Sequence, residues 1–162
     1  SHRFHARHSA LGRSYLYQVA TRKTAFGKPF VWWVKDTLDL EAMRAAAAGL
    51  TGFHDFRAFA DTNPEETSTT VALEGIDVAQ AGALVLIHVS GSHFLWKMVR
   101  RLAGTLVAAG QGTLTAADVA QLLQGAPREA APLTAPASGL FLERVRYAGD
   151  PAEVAPQPVI RA

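Results

Sequence analysis

A chain of 162 residues, about half apolar and a fifth charged, is sized for one domain with a real hydrophobic core. With no cysteine it has no disulfide framework and no thiolate metal site, and no apolar run approaches the ~20 residues that cross a bilayer. The formal charge of +2 hides an asymmetry. Before Asp36 there is no acidic residue, against seven Lys or Arg and three His, a balance that suits a phosphate-bearing partner such as nucleic acid.

Ser1 to Arg7 has neither an initiator methionine nor the apolar core of a signal peptide, and it runs straight into a strand pattern. A chain that starts inside something larger, in the cytoplasm, is expected to read this way. His2, His5 and His8 stand three apart without a nearby carboxylate, which favours a basic strand edge over a metal site. Arg13 to Ala20 alternates as a strand with Tyr15, Tyr17 and Val19 on one face. Phe30 to Val34 is a second, short extended run. Asp39 caps a helix from Leu40 through Met43, and Gly49 supplies its stop. Gly52 to Phe59 spaces three aromatics at three-residue intervals, the pattern of a short helix or tight turn docked on the core.

Asp61 to Ser68 is a polar loop. Thr70–Val78 and Ala83–Ser90 read as strands joined by Ala79-Gln80-Ala81-Gly82, and the second is apolar on both faces, hence central. From His93 to Val107 a helix is expected, with Phe94, Leu95, Met98, Val99, Leu102, Ala103 and Leu106 on one stripe. His93, Lys97, Arg100, Arg101 and Gly104 fall on the other side, a basic face whose glycine lets another backbone approach closely. Thr115 caps a helix over Ala116–Leu123, and the stretch ending at Tyr147 alternates as a strand. The class is α+β, a mostly antiparallel sheet with helices packed on it. One domain is expected over 1–148, with an irregular proline-containing tail over 149–162. His54-Asp55 is a conceivable acid–base pair, but neighbours on such a segment more often bond locally.

Four ordered motifs spread over nearly the whole chain. They are Phe4-His5-Ala6-Arg7-His8-Ser9-Ala10 with Arg13-Ser14-Tyr15-Leu16-Tyr17, and Gly52-Phe53-His54-Asp55-Phe56 with Phe59. The others are Phe94-Leu95 with Met98-Val99-Arg100 and Gly104, and Ala135-Pro136-Ala137 with Gly139-Leu140-Phe141-Leu142, Val145 and Tyr147. Together, in this order, they resemble the C-terminal domain of the TruA family of tRNA pseudouridine synthases. The resemblance implies the C-terminal half of the pseudouridine synthase fold. It assigns Tyr15 to the aromatic face against a flipped uracil, Arg100 to the partner of the catalytic aspartate, and Leu140 to the closure of the uracil pocket. Arg3, Arg7, Arg13, Lys97 and Arg101 would then meet tRNA phosphates.

The same resemblance implies uridine isomerisation in the anticodon stem-loop of tRNA, by a homodimer that uses neither metal nor cofactor. The family's catalytic aspartate belongs to an Arg-Thr-Asp-containing motif of the N-terminal domain, and nothing in this chain resembles it. This chain by itself is therefore expected to be inactive, with its own N-terminal domain as its missing partner. The competing reading is a non-catalytic RNA-binding module on the same scaffold.

Overall fold

The computed structural model describes residues 10–23, 27–63, 65–150 and 157–159. Its centre is a six-stranded sheet built around β1 (Gly12–Ala20) and β5 (Leu84–Gly91), which pair antiparallel with Tyr15 opposite Val89 and Tyr17 opposite Ile87. Outward from β5 lie β4 (Thr70–Ala81) and β3 (Gly52–Asp55), both antiparallel. The other edge of β1 is shared. β6 (Leu140–Arg146) runs antiparallel along Gly12–Tyr17, and the two-residue β2 (Trp32–Trp33) runs parallel beside Val19 and Ala20. The α+β, largely antiparallel expectation holds.

Three helices cover one face: α1 (Leu40–Leu50), α2 (Met98–Gly110) and α3 (Ala116–Leu122). Tyr17, Val19, Ile87 and Val89 from the sheet meet Met43, Leu50, Leu102 and Leu106 from the helices in one continuous core. Each of these fully buried leucines contributes about 1.5–3 kcal/mol of transfer free energy. The opposite face carries a smaller cluster of Leu16, Ala20, Leu84 and Leu86 against Val31. There Gln18 is fully buried, donating to the Phe30 carbonyl at 3.0 Å and accepting the Val159 N–H at 2.7 Å. A residue of the proline-containing tail thus sits on the sheet. As its apolar pattern requires, β5 is covered on both sides.

Four local expectations change. The hairpin turn is Gly82-Ala83 alone, with Ala81 paired to Leu84 and Gly82 at φ 61°, so both strands run longer than their polarity suggested. Gly49 does not stop α1. The helix continues to Leu50 and ends at Thr51, whose hydroxyl donates back to the Ala47 carbonyl, and Gly52 at φ 117° makes the reversal. Gly52–Asp55 is strand, because the exposed edge of β4 offers it a ladder, and only Arg57–Phe59 coils into a 3₁₀ turn. Finally, α2 begins at Met98 and not at His93, because Lys97 is left-handed at φ 63°.

The caps follow the sequence more closely. Asp39 accepts the Ala42 N–H at 3.1 Å, and Thr115 with Asp118 forms a reciprocal capping box. Gly104 is a crossing point, as expected: a Cβ there would lie 1.6 Å from the Leu133 carbonyl oxygen.

Candidate functional site

Strand alternation puts Arg13, Tyr15 and Tyr17 on the helix-covered face of β1. Tyr15 is half-buried, with its ring edge-on to Phe94 at 5.1 Å between centroids. Tyr17 is fully buried, and its hydroxyl donates to the Pro136 carbonyl at 2.6 Å. Burial pushes the Tyr17 phenol well above the ordinary tyrosine value, against a smaller downward pull from the positive charge of Arg100.

Arg100 lies in the first turn of α2 and is tied to one residue in two ways. Its Nε donates to the Ala135 carbonyl at 2.7 Å, and its own carbonyl accepts the Ala135 N–H at 3.0 Å. The next carbonyl along, that of Pro136, belongs to Tyr17. Residues 135–136 are therefore stitched between α2 and β1. Gly139 then passes so close to β1 that a Cβ would fall 2.7 Å from both the Tyr17 ring and the Gln18 carbonyl. Leu140 follows directly, opposite Tyr17 in the ladder and packed against the main core. Arg100 and Leu140 are thus tied to Tyr17 through residues 135–140, while Tyr15 is fixed separately, by the Phe94 ring and by its ladder partners Val89 and Leu142. Among the described residues no carboxylate pairs with Arg100.

The other cations are placed differently from one another. Arg13 is half-buried at the start of β1, without an ion pair among the described residues. Lys97 and Arg101 converge on Asp61, with Lys97 Nζ 2.9 Å from Oδ2 and Arg101 Nη2 2.5 Å from Oδ1. Arg101 is only 3% exposed, and its Nε donates to the Thr134 hydroxyl at 3.2 Å. The expected open basic face is therefore not continuous, because Asp61 and the 131–135 segment cover Arg101 and Gly104. Arg128 Nε is 3.7 Å from the same carboxylate. The Lys97 hydrogen bond, then that of Arg101, holds the Asp61 carboxyl below the usual carboxylate range. Arg3 and Arg7, with His2, His5 and His8, lie outside the described residues.

Sequence reasoning missed Asp61 and Tyr17 as organisers. Asp61 sits in a loop with partners 40 and 67 residues away, so no local pattern marks it. Tyr17 was legible only as a strand aromatic. His54 and Asp55 bond locally: His54 Nε2 pairs with the Thr51 carbonyl, and Asp55 accepts from the Thr69 hydroxyl and the Arg57 N–H. Among the described residues, no group of three or more His, Asp or Glu side chains is arranged to hold a metal ion, and no helix is long and apolar enough to cross a membrane.

Comparison with known proteins adds to this geometry. Residues 46–148 match the profile of a family described as tRNA pseudouridine synthase. The chain is 40% identical to tRNA pseudouridine synthase A of Allorhizobium ampelinum over 91% of its own length and 58% of that protein's. It is likewise 40% identical to the enzyme of that name from Syntrophotalea carbinolica, over 90% of this chain and 58% of the relative. With the Methylobacterium relative the identity is 42%, over 89% of this chain and again 58% of the other. The chain thus spans a little under three-fifths of the curated relatives it matches. A profile match over most of the chain shows that the chain belongs to the tRNA pseudouridine synthase family.

Proposed function

We propose that this chain forms one wall of the active cleft of a tRNA pseudouridine synthase, and that the carboxylate opening the base–ribose bond comes from outside these 162 residues. In the reaction the N1–C1′ bond of uridine breaks and a C5–C1′ bond forms. The C5 proton is lost and N1 gains one, so the balance needs no cofactor. Tyr15 offers the aromatic face that replaces lost base stacking. Leu140 closes the pocket on its apolar side. Arg100 holds the incoming carboxylate ionised and oriented. Arg7, Arg13 and Lys97 serve as phosphate contacts, and Arg101 reaches phosphate only indirectly, through the Asp61 knot. The whole protein acts in the cytoplasm as a homodimer on uridines of the anticodon stem-loop. This chain by itself binds tRNA weakly and is inactive.

The observation that carries the reading is Arg100, whose Nε is committed to the Ala135 carbonyl while its terminal nitrogens have no acceptor among the described residues. A guanidinium fixed at one end and open at the other is built to receive a carboxylate. In the whole protein, Arg100→Lys should cut turnover by orders of magnitude while changing tRNA affinity little, because a point charge does not replace a bidentate fork. Equal, modest losses in both would instead mark a non-catalytic RNA binder. Pseudouridine formed in tRNA by this chain alone would overturn the claim that the carboxylate lies elsewhere.

A further inference from the structure

Leu95 to Met98 makes a tight turn just before α2. The Leu95 carbonyl accepts the Met98 N–H at 3.1 Å, and Lys97 in the third position has φ 63° and ψ 2°, the signature of a type II turn. That position ordinarily wants glycine, and a lysine there is strained. The strain is held from across the fold by Asp61. Its N–H donates to the Trp96 carbonyl at 3.2 Å, and its carboxylate takes the Lys97 ammonium and the Arg101 guanidinium. Held strain of this kind concentrates at functional positions.

The held turn displays Trp96. Its side chain is 71% exposed, and its indole has no aromatic or cationic partner among the described residues. Around it, Lys97, Arg101 and Arg128 converge on the single carboxylate of Asp61, leaving two positive charges in excess at this knot. Arg101 is buried with its Nη1 unpartnered. Arg128 is well exposed, left-handed at φ 65°, and reaches the Asp61 carbonyl through Nη2 at 3.3 Å. Glu65 and Glu66 of the same loop are exposed and pair with none of these cations. The patch also adjoins the site wall, because Phe94, two residues before Trp96, packs edge-on to Tyr15.

A solvent-facing indole displayed on a clamped backbone turn, next in the chain to a knot of excess cations, is the arrangement that binds single-stranded nucleic acid, with a base on the ring and phosphate on the charges. We propose that Trp96 is a base-stacking residue for an unpaired RNA nucleotide next to the isomerised one, with Lys97 and Arg128 as its phosphate contacts. The proposal rests on the RNA-facing part of the reading above and not on Arg100 being catalytic.

The test titrates this chain with a fluorescently labelled anticodon stem-loop RNA and follows both anisotropy and tryptophan emission. Binding should quench tryptophan emission. Trp96→Ala should remove most of that quenching and weaken binding about 5- to 100-fold, while Trp96→Phe keeps most of the affinity. Arg128→Gln should lower the salt slope of log K by about one contact. Circular dichroism verifies that each variant is folded. Unchanged affinity in Trp96→Ala, or no binding by the parent chain up to about 100 μM, the weak end of non-specific RNA affinity, overturns the proposal. So does a patch whose loss changes self-association and leaves RNA binding intact. Arg100→Lys run in parallel separates the two readings. If it spares turnover in the whole protein while Trp96→Ala still weakens RNA binding, the catalytic reading fails and this one stands.

Discussion

Asp61 carries three cations on one carboxylate, so its removal should be costly. Asp61→Ala strips the carboxylate from Arg101, which is 3% exposed, already has one buried nitrogen without a partner, and would keep only the Thr134 hydroxyl. Breaking a buried pair by deleting one partner costs about 3–5 kcal/mol. Asp61 itself is a quarter exposed, so water can reach the vacated position and the loss should fall toward about 2–3 kcal/mol. For a domain of this length that lowers Tm by about 4–12 °C.

The turn supplies an internal control. Lys97→Gly alone relieves left-handed strain of about 1–2 kcal/mol, but it gives up the Lys97–Asp61 pair and loosens the unfolded chain by about 0.5–1 kcal/mol. Its net effect should be near zero. In the Asp61→Ala background there is no pair left to lose, so the same glycine should restore about 0.5–1 kcal/mol. Urea and thermal unfolding of the four proteins followed by circular dichroism give the cycle. A Tm for Asp61→Ala within a degree of the parent, or strictly additive effects, would refute the account of Asp61 as the clamp on this turn.

Gly104→Ala should destabilise by about 2 kcal/mol or more, because its Cβ would collide with the Leu133 carbonyl and the 131–133 turn would have to lift off α2; chemical denaturation reads this directly. Tyr17→Phe should cost about 1–2 kcal/mol by leaving the Pro136 carbonyl without its donor. The raised Tyr17 phenol stays neutral in the folded state while an unfolded one ionises near 10. Its contribution is full below that pH and declines as pH rises toward the folded value, a fall that should be shallower in Tyr17→Phe. Asp61 has the opposite sign: its lowered carboxyl contributes above the ordinary carboxylate value of about 3.9 and loses that contribution as pH falls through its folded value. Acid unfolding of Asp61→Asn should therefore depend less steeply on pH below about 4.

What could be read from the sequence was what is local. Alternation from Arg13 to Ala20, the Asp39 and Thr115 caps, the doubly apolar β5 and the close crossing at Gly104 each follow from a few adjacent residues. The misread elements are those that a distant partner decides. Gly52–Asp55 becomes a strand because the edge of β4 is free to pair. The helix containing Arg100 loses its first five expected residues because Asp61, 36 positions before Lys97, holds that lysine left-handed. Arg101 turns from an expected solvent-facing cation into a buried one because Asp61 and the 131–135 segment pack over that face of the helix. A helical wheel cannot show this, because what covers the face lies 33 and 40 residues away.

Arg100 shows why residue type matters more than charge at the wall. Its Nε and its backbone carbonyl both serve Ala135, so it builds the segment that delivers Leu140 opposite Tyr17. The planar fork carries its remaining donors on the far side of that bond, rigidly directed. A lysine has one nitrogen at the end of a flexible stem. It can bond the Ala135 carbonyl or reach a carboxylate, but it cannot do both in the guanidinium's geometry. Arg100→Lys should therefore divide two properties that a purely structural arginine would lose together. The urea midpoint should shift by no more than about one hydrogen bond's worth, roughly 1 kcal/mol, because the ammonium can take the carbonyl. Turnover in the whole protein should collapse, because the carboxylate then loses its fork. A lysine variant that keeps its turnover while losing several kcal/mol of stability would place Arg100 among the residues that only hold the fold together.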